Sequence, residues 1–281
     1  MLKLPDCLNE SNYWVYRGNR LVLSYIGPEN KDAFSRRNLR KLLWKKGALA
    51  IMWNYDCDYT HSGNWYRCIC DDVEYDETKI VSRNVRHNLR RSLNRCIFKE
   101  ITFDWLAENG YETYANASKR FNDFRVLSKK KYRKDILKLK KERNRIAYGV
   151  FVDEALAAYA TLIIVDDRMF GDTAYFDPRY SNAYPMYCLY YMIAKECFRR
   201  GYREFDRGTK PLLHDTNVDE FLVRLGYRIS YCRLGVYYSS IVEMMIYLFN
   251  IAEKINKNIV PDNIAVRINS LKIAKEISLI P

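Results

Sequence analysis

Apolar and polar residues alternate through much of the first eighty positions. Residues 13–26 alternate on either side of Gly18-Asn19, and such a dipeptide between two alternating runs predicts a β-hairpin. A basic helix is predicted over residues 35–46, and two more strands over residues 48–55 and 65–71. Together these segments indicate an incomplete α/β unit.

A helical period replaces the alternation after residue 81. Val85, Leu89 and Leu93 recur at intervals of four, and Ser82 precedes them as an N-cap, which predicts an amphipathic helix. The lysine-rich segment 128–143 is predicted to form a second helix. Between the two we expect a strand over residues 97–102 and a helix from Phe103 toward Phe121, interrupted at Asn109-Gly110.

Three consecutive strand-like runs give the clearest architecture in the chain. They cover residues 146–152, 156–165 and 168–176. Asp153-Glu154 and Asp166-Asp167 join them, and such pairs of turn-forming residues are typical of tight hairpins. The pattern therefore predicts an antiparallel meander.

A loop of turn-forming residues follows the meander and leads into another helix. The loop covers residues 177–185, and Pro185 suits the first turn of a helix. Gly201 is placed to end that helix, and residues 204–206 form a short strand. A strand, a helix and a strand at this spacing form a right-handed crossover, so the short strand is expected to run parallel to the one that ends at Phe176. The rest of the chain is predicted to contain a helix over residues 218–225, one or two strands over 227–238, and helices over 241–255 and 263–277.

Composition places the chain among globular proteins. It has 281 residues, of which 48% are hydrophobic and 29% charged, and this balance excludes a disordered or fibrous chain. Its uncharged stretches are shorter than the roughly 20 apolar residues that span a bilayer, so no integral membrane helix is expected. The first residues lack the features of a signal peptide, and we expect a cytoplasmic protein.

The eight cysteines agree with a reducing compartment, because a chain of this length needs no disulfide framework. Cys57, His61, Cys68 and Cys70 offer four possible ligands for zinc. Neighbours two apart on a strand lie on one face, too far apart for one ion unless the strand bends. We therefore interpret Cys68 and Cys70 as core residues and expect no metal.

Positive charge is concentrated in one region. The formal net charge is +13, and residues 79–145 contain 20 Lys and Arg against 7 Asp and Glu, while the remainder is balanced. Such a cluster attracts phosphates of nucleic acid, of nucleotide-linked substrates or of lipids. The alternative is a set of solvated helix faces without a ligand.

Three motifs, taken in order, resemble a known family. They are residues 82–93, an arginine-rich helix; Tyr175-Phe176-Asp177-Pro178 leading to Ser181 and Pro185; and residues 201–208 followed by Phe221 and Gly226. This arrangement is similar to the GNAT acyltransferase superfamily, and within it to the Fem-like branch of cell-wall peptide transferases and polysaccharide-gene-cluster proteins. The resemblance covers residues 82–238.

The resemblance implies an α/β (α+β) fold with a GNAT-like mixed sheet, in which an antiparallel meander is followed by a helix crossover. It also implies a degenerate duplicate of that domain at the N-terminus. The expected division is residues 1–81 for the degenerate half, 82–238 for the acyltransferase domain and 239–281 for a helical tail. The oligomeric state stays open.

The implied activity is transfer of an acyl group from acetyl-CoA or another acyl-CoA to an amine or hydroxyl. The implied acceptor is an amino sugar or a nucleotide-linked precursor of surface polysaccharide. The loop before the helix departs from the family pattern, because it contains no glycine and Met186 stands where many Fem-like members have glycine, and glycines let a backbone approach phosphates closely. The backbone amides of residues 181–184 are nevertheless expected to hold the donor. The expected donor-binding residues are Phe176, Ser181, Asn182, Ala183 and Tyr184.

Asp206, at the end of its strand, is the candidate base, with His214 in the following loop as a second candidate. Tyr184 is placed to protonate the leaving thiolate. Each has an alternative interpretation without a catalytic role. Asp206 would hold Arg207, His214 would be an ordinary surface histidine, and Tyr184 would be no more significant than any other of the 24 tyrosines. The cations expected to grip a phosphate or carboxylate of the acceptor are Arg86, Arg90 and Lys210.

Two other classes of function fit the sequence. One is an aminoacyl-tRNA-dependent transferase or a tRNA-binding module that uses the basic segment 119–145. The other is a catalytically inactive scaffold, in which the absence of glycines from the loop before the crossover helix would reflect the loss of a donor site.

Overall fold

The computed structural model describes residues 8, 10–17, 21–29, 34–57, 65–119, 126–210, 212, 217–255 and 262–279. The chain forms two compact units. The terminal unit consists of residues 1–67, 209–216 and 230–281, and the central unit of residues 68–208 and 217–229. These units divide the chain differently from the expected three parts, because residues 230–281 group with the first 67 rather than with the second part or on their own.

The described residues form eleven strands and nine α-helices. The strands are β1 (Trp14–Arg17), β2 (Val22–Tyr25), β3 (Ala50–Tyr55), β4 (Tyr66–Cys70), β5 (Ile97–Glu100), β6 (Arg145–Val152), β7 (Ala155–Val165), β8 (Arg168–Phe176), β9 (Glu204–Thr209), β10 (Arg228–Tyr231) and β11 (Arg233–Tyr238). The helices are α1 (Arg36–Lys46), α2 (Arg83–Arg95), α3 (Phe103–Asn109), α4 (Tyr111–Ser118), α5 (Lys129–Leu139), α6 (Pro185–Arg199), α7 (Val218–Arg224), α8 (Ser240–Ile255) and α9 (Asp262–Ser278).

The central unit is built on a mixed sheet with strand order β10-β4-β9-β8-β7-β6-β5. Strands β5 to β8 pair antiparallel, which confirms the predicted meander, and β8 pairs with β9 in parallel, which confirms the predicted crossover. The hairpin turns place Asp153, Glu154 and Asp166 at positive φ. Aspartate tolerates this left-handed conformation better than most residues, which explains the turn signal in the sequence.

Helices cover both faces of this sheet. On one face α2 and α6 pack through a core that includes Val85, Leu89 and Leu189. On the other face α3, α4 and α5 pack through a second core that includes Leu106 and Ile136. Successive residues of β6 enter the two cores in turn, because side chains alternate along a strand.

The terminal unit has its own sheet, with strand order β1-β2-β3-β11. The predicted hairpin is present as the antiparallel pair β1–β2, although its turn at Gly18-Asn19 lies outside the described residues. Strand β3 pairs in parallel with β2 and antiparallel with β11. Helix α1 covers one face of this sheet through Leu42, and α8 and α9 cover the other through Phe249 and Ile268.

The lysine-rich helix and the strand segment 227–238 add detail to the predicted elements. The lysine-rich helix ends at Leu139 rather than at residue 143. The strand signal over residues 227–238 divides into β10 and β11, which belong to different sheets. Among the described residues, no helix combines the length and the hydropathy that crossing a bilayer requires.

Candidate functional site

The parallel pairing of β8 with β9 is short. It joins Arg168 to Glu204, Met169 to Phe205 and Phe170 to Asp206, whereas both strands continue for several residues beyond the last pair. At the next position Gly171 lies close to the other strand, since an added Cβ would stand 3.0 Å from the carbonyl oxygen of Arg207. The paired register of the two strands thus ends at Asp206, and they are still adjacent at Gly171 and Arg207 before each continues separately.

A β-bulge bends β8 at the same place. Thr161 of β7 faces Thr173, but Leu162 faces Gly171, so Asp172 is the extra residue. The carboxylate of Asp172 forms an ion pair with Arg145, and both side chains are less than 10% exposed, at 9% and 7%. A bulge held by a buried ion pair fixes the bend of the strand and the direction of the residues that follow it.

Asp206 lies at this branching point and is 2% exposed. Its Oδ1 accepts a hydrogen bond from the backbone N–H of Gly208 at 2.7 Å, and Gly208 has a φ of +120°, a conformation that favours glycine. The neighbouring Arg207 directs Nη1 to Oδ1 of Asp219 at 3.4 Å. The structure thus holds a buried carboxylate where the two strands diverge.

The crossover loop is held by the buried carboxylate of Asp177. It accepts hydrogen bonds from the backbone N–H of Arg179 at 3.0 Å and from Nδ2 of Asn116 at 2.8 Å, and it pairs with the guanidinium of Arg179. Burial by itself raises the pKa of Asp177, but the hydrogen bonds from Arg179 and Asn116 outweigh it and lower that pKa below its ordinary value. The loop is therefore tied to α4.

Residues 178–183 form a short 3-10 helix, and Tyr184 joins it to α6 in the left-handed conformation, at a φ of 56°. Ser181 and Asn182 are exposed, whereas Ala183 is fully buried. The N–H of Tyr184 donates to the carbonyl of Ser181 at 3.1 Å. Of the expected donor-binding residues, two are thus accessible at the surface and one is part of the core.

Ser92 of α2 fastens the beginning of α6. Its hydroxyl donates to the carbonyl oxygen of Tyr184 at 2.7 Å and accepts from the N–H of Cys188 at 3.2 Å. The N–H of Tyr187 donates to the same carbonyl of Tyr184 at 3.0 Å. The first turn of α6 is therefore largely satisfied by groups within the protein.

A comparison with protein families assigns this part of the chain. Residues 83–212 match the family model described as the acetyltransferase (GNAT) domain. This part of the chain is therefore a GNAT domain. The meander, the crossover helix and the diverging strands described above lie within the matched residues, and the expected fold class, a mixed α/β GNAT-like architecture, is confirmed.

Solved structures with the same fold cover most of the chain. The crystal structure of FemX aligns with a TM-score of 0.56 and 10% identity over 81% of this chain and 82% of FemX. The C-terminal domain of a putative lysylphosphatidylglycerol synthetase from Agrobacterium fabrum aligns with a TM-score of 0.52 and 10% identity over 85% and 84% of the two chains. These similarities show a Fem-like GNAT fold. No curated protein matches the sequence.

The GNAT helix α2 directs its arginines in two directions. Arg86 donates to the carbonyls of Ile80 and Val81, and Arg90 forms a two-point ion pair with Glu77, with both N···O distances at 3.0 Å. The two expected acceptor-binding arginines thus bind the segment that precedes their own helix. They are engaged with backbone carbonyls and a carboxylate of the chain itself.

Arg91 and Arg95 face the crossover loop instead. Nη1 of Arg95 donates to the carbonyl oxygen of Asn182 at 3.2 Å, and the guanidinium carbon of Arg91 lies 5.2 Å from the centroid of the Tyr184 ring. Sequence reasoning did not select them. Their spacing of four residues on one helix face, on either side of Ser92, was the available signal.

Two cysteines meet beneath this loop. Cys96 and Cys188 are hydrogen-bonded through their thiols, and Cys96 also contacts the carbonyl oxygen of Ala183 at 3.4 Å. The hydrogen bond from Cys188, helped by Ser92 and Arg95 and opposed by burial, lowers the pKa of Cys96 to about 7. Burial raises the pKa of Cys68 to about 12, which fits its interpretation as a core residue.

The other expected site residues have different positions. His214 lies outside the described residues, as does His61. Lys210 belongs to the terminal unit, where its Nζ lies 5.9 Å from the centroid of the Tyr66 ring and its N–H donates to the carbonyl of Tyr66. Phe176 is half-buried against the core beneath α6.

Several charges of the basic segment are paired within the GNAT domain. Lys131 and Lys138 both contact Asp135, at 2.8 and 3.0 Å. Arg133 pairs with Glu108 and Lys140 with Asp104, each at 2.7 Å. The pairs with Asp135 lie within α5, whereas those with Glu108 and Asp104 join α5 and the residue that follows it to α3, so part of the positive charge has a structural use.

Proposed function

We propose that the protein is a GNAT-type acyltransferase that moves an acetyl or other acyl group from CoA to an amine or hydroxyl acceptor. The observation that carries the proposal is the end of the β8–β9 pairing beside Asp206. We place the thioester along the part of β8 that no longer pairs with β9, with the buried carboxylate of Asp206 at the inner end of that part. The match to the acetyltransferase family model supports the same reaction.

In the proposed reaction the acceptor nitrogen or oxygen attacks the thioester carbonyl. A backbone N–H near Phe176 stabilises the oxyanion. Phe176 lies six residues beyond Phe170, the partner of Asp206, so Asp206 takes the proton that the acceptor loses through a chain of waters and not by direct contact. The C–S bond then breaks, and Tyr184 protonates the departing thiolate to give free CoA. His214 is the second candidate for the base.

The donor is proposed to lie against Phe176, Ala183 and Tyr184, with Ser181 and Asn182 at its exposed end. The proposed acceptor is an amino sugar or a nucleotide-linked precursor of surface polysaccharide, as the Fem-like resemblance implies. Arg86 and Arg90, both in the central unit, are its proposed ligands. To bind an anionic acceptor, Arg90 would exchange the carboxylate of Glu77 for that of the acceptor or for a phosphate.

Replacing Asp206 by Asn tests the role of the base. The variant keeps the shape and the hydrogen-bond acceptor for Gly208 but cannot take a proton, so turnover is expected to fall by about 10²- to 10⁴-fold while CoA affinity is unchanged. Release of free thiol from acetyl-CoA with a panel of amino-sugar acceptors measures turnover, and calorimetry measures affinity.

Asp153→Asn is the matched control, because Asp153 is exposed in a turn of the same sheet and asparagine tolerates its positive φ. Full activity of Asp206→Asn removes Asp206 as the base. Absence of CoA binding by the unmodified protein contradicts the proposed function as a whole.

A second candidate is an aminoacyl-tRNA-dependent transferase. It is favoured by one observation, namely that Ser92 and Tyr184 already engage backbone groups at the first turn of α6, which leaves fewer amides for the diphosphate of CoA. An aminoacyl-tRNA donor has no such diphosphate, so it would not need free amides at the first turn of α6. A protein that binds neither CoA nor tRNA would be the inactive scaffold.

A further inference from the structure

The first turn of α6 offers few hydrogen-bond donors to an anion. Pro185 has no N–H, the N–H of Tyr187 is bonded to Tyr184, and the N–H of Cys188 is bonded to the hydroxyl of Ser92. Free amides of a helix's first turn are the groups that hold a phosphate at such a position. If this protein holds a diphosphate next to α6, side chains must do part of that work.

Arg91 and Arg95 are the cations placed to do so. Both are exposed, and both contact the short segment that leads into α6, through the ring of Tyr184 and the carbonyl of Asn182. The two segments that carry these contacts contain no acidic residue between positions 79 and 99 or between 178 and 195. Two guanidinium groups one helical turn apart can each bind a phosphate group of a diphosphate.

Arg86 and Arg90 of the same helix do not compete for this task. Arg86 and Arg90 are bonded to the segment before the helix, at Ile80 and Glu77. The stacked position of Arg91 over Tyr184 restricts its side chain, so less conformational entropy is lost when the guanidinium binds an anion. The pair is thus partly preorganised on the loop side of α2.

We infer that Arg91 and Arg95 bind the diphosphate of the thioester donor, in place of the backbone amides at the beginning of α6. The inference rests on the proposed acyltransferase function and adds the residues that select a nucleotide-linked donor. It assigns to α2 a part in donor binding, alongside its packing role.

The experiment compares two donors that differ in their phosphates. Arg91→Ala and Arg95→Ala are each assayed with acetyl-CoA and with S-acetylpantetheine, which carries the same thioester without phosphate. We expect each variant to raise KM for acetyl-CoA about tenfold with kcat unchanged, and to leave kcat/KM for S-acetylpantetheine as it is. The effect on acetyl-CoA should shrink as salt is raised.

Arg83→Ala is the matched control, since Arg83 is an exposed arginine two turns earlier on the same helix. An equal loss for both donors, or the same loss in Arg83→Ala, overturns the assignment of Arg91 and Arg95. An unchanged KM for acetyl-CoA in both Arg91→Ala and Arg95→Ala also overturns the assignment, but it leaves the proposed acyltransferase function intact. If the unmodified protein neither binds nor turns over acetyl-CoA, the proposed function fails and this inference fails with it.

Discussion

Asp177 shows how much a single buried carboxylate does in this chain. It is 1% exposed and joins α4 to the crossover loop through Asn116 and Arg179. Because these partners favour the charged form, the pKa of Asp177 is lowered in the folded state. The resulting stabilisation is present above the ordinary pKa of an aspartate and is lost as the pH falls through the lowered value.

We expect Asp177→Asn to lower the free energy of unfolding by about 1–3 kcal/mol, because Arg179 and Asn116 lose a buried charged acceptor. Urea denaturation at pH 7 measures the loss, and repeating it at falling pH should narrow the difference between the two proteins. Glu112→Gln is the control, since Glu112 contacts the same Arg179 but is 70% exposed, and it should change stability little. A variant as stable as the unmodified protein would show that Asp177 does not hold the loop.

At the scale of elements, α2 and α6 act as a joined pair. Ser92 is fully buried and bonds both the carbonyl before α6 and an amide in its first turn. The sequence motif around Ser92 therefore has a local and a distant function: its apolar residues place α2 on the sheet, and its serine sets where α6 begins.

Replacing Ser92 by Ala tests this joint. The N–H of Cys188 loses its acceptor in a buried position, so we expect a loss of about 1–3 kcal/mol in the free energy of unfolding. Chemical denaturation measures it, with Asn94→Ala, an exposed change on the same helix, as the control. Equal stabilities of the two variants would mean that the hydroxyl of Ser92 contributes nothing to the contact between the helices.

At the scale of the whole molecule, the uneven charge is the property that decides between donors. The net charge of +13 resides in residues 79–145, yet Lys131, Arg133, Lys138 and Lys140 are paired with acidic residues of the same unit. Pairing of this kind weakens an electrostatic attraction to nucleic acid without removing it.

If CoA is the donor, neutralising Lys129, Lys130 and Lys131 together by Gln should leave CoA affinity unchanged. Bulk tRNA, titrated over a salt series, should then bind no more tightly than expected for nonspecific charge. If tRNA binds tightly with a steep salt dependence that the triple variant flattens, the donor is aminoacyl-tRNA and the CoA proposal is contradicted.

Local signals in the sequence were enough to predict most of the helices and strands. Ser35, Ser82 and Ser128 each accept a hydrogen bond from a backbone N–H at the beginning of a predicted helix. Gly201 follows its helix at positive φ as expected, and Gly226 follows α7 in the same conformation. Caps and turns depend on residues within a few positions of each other, so a linear pattern contains them. The order of the three motifs was enough to indicate the resemblance to the GNAT superfamily.

What the sequence by itself determined is therefore the set of elements, the meander with its parallel crossover, and the GNAT resemblance. Tertiary structure alone decided that β11 pairs with β3, that Ser92 occupies the beginning of α6, and that Arg91 and Arg95, rather than Arg86 and Arg90, face the crossover loop. The physical reason is distance along the chain. These contacts join residues tens to more than a hundred positions apart, and their geometry depends on how the helices and sheets pack, which no local period records.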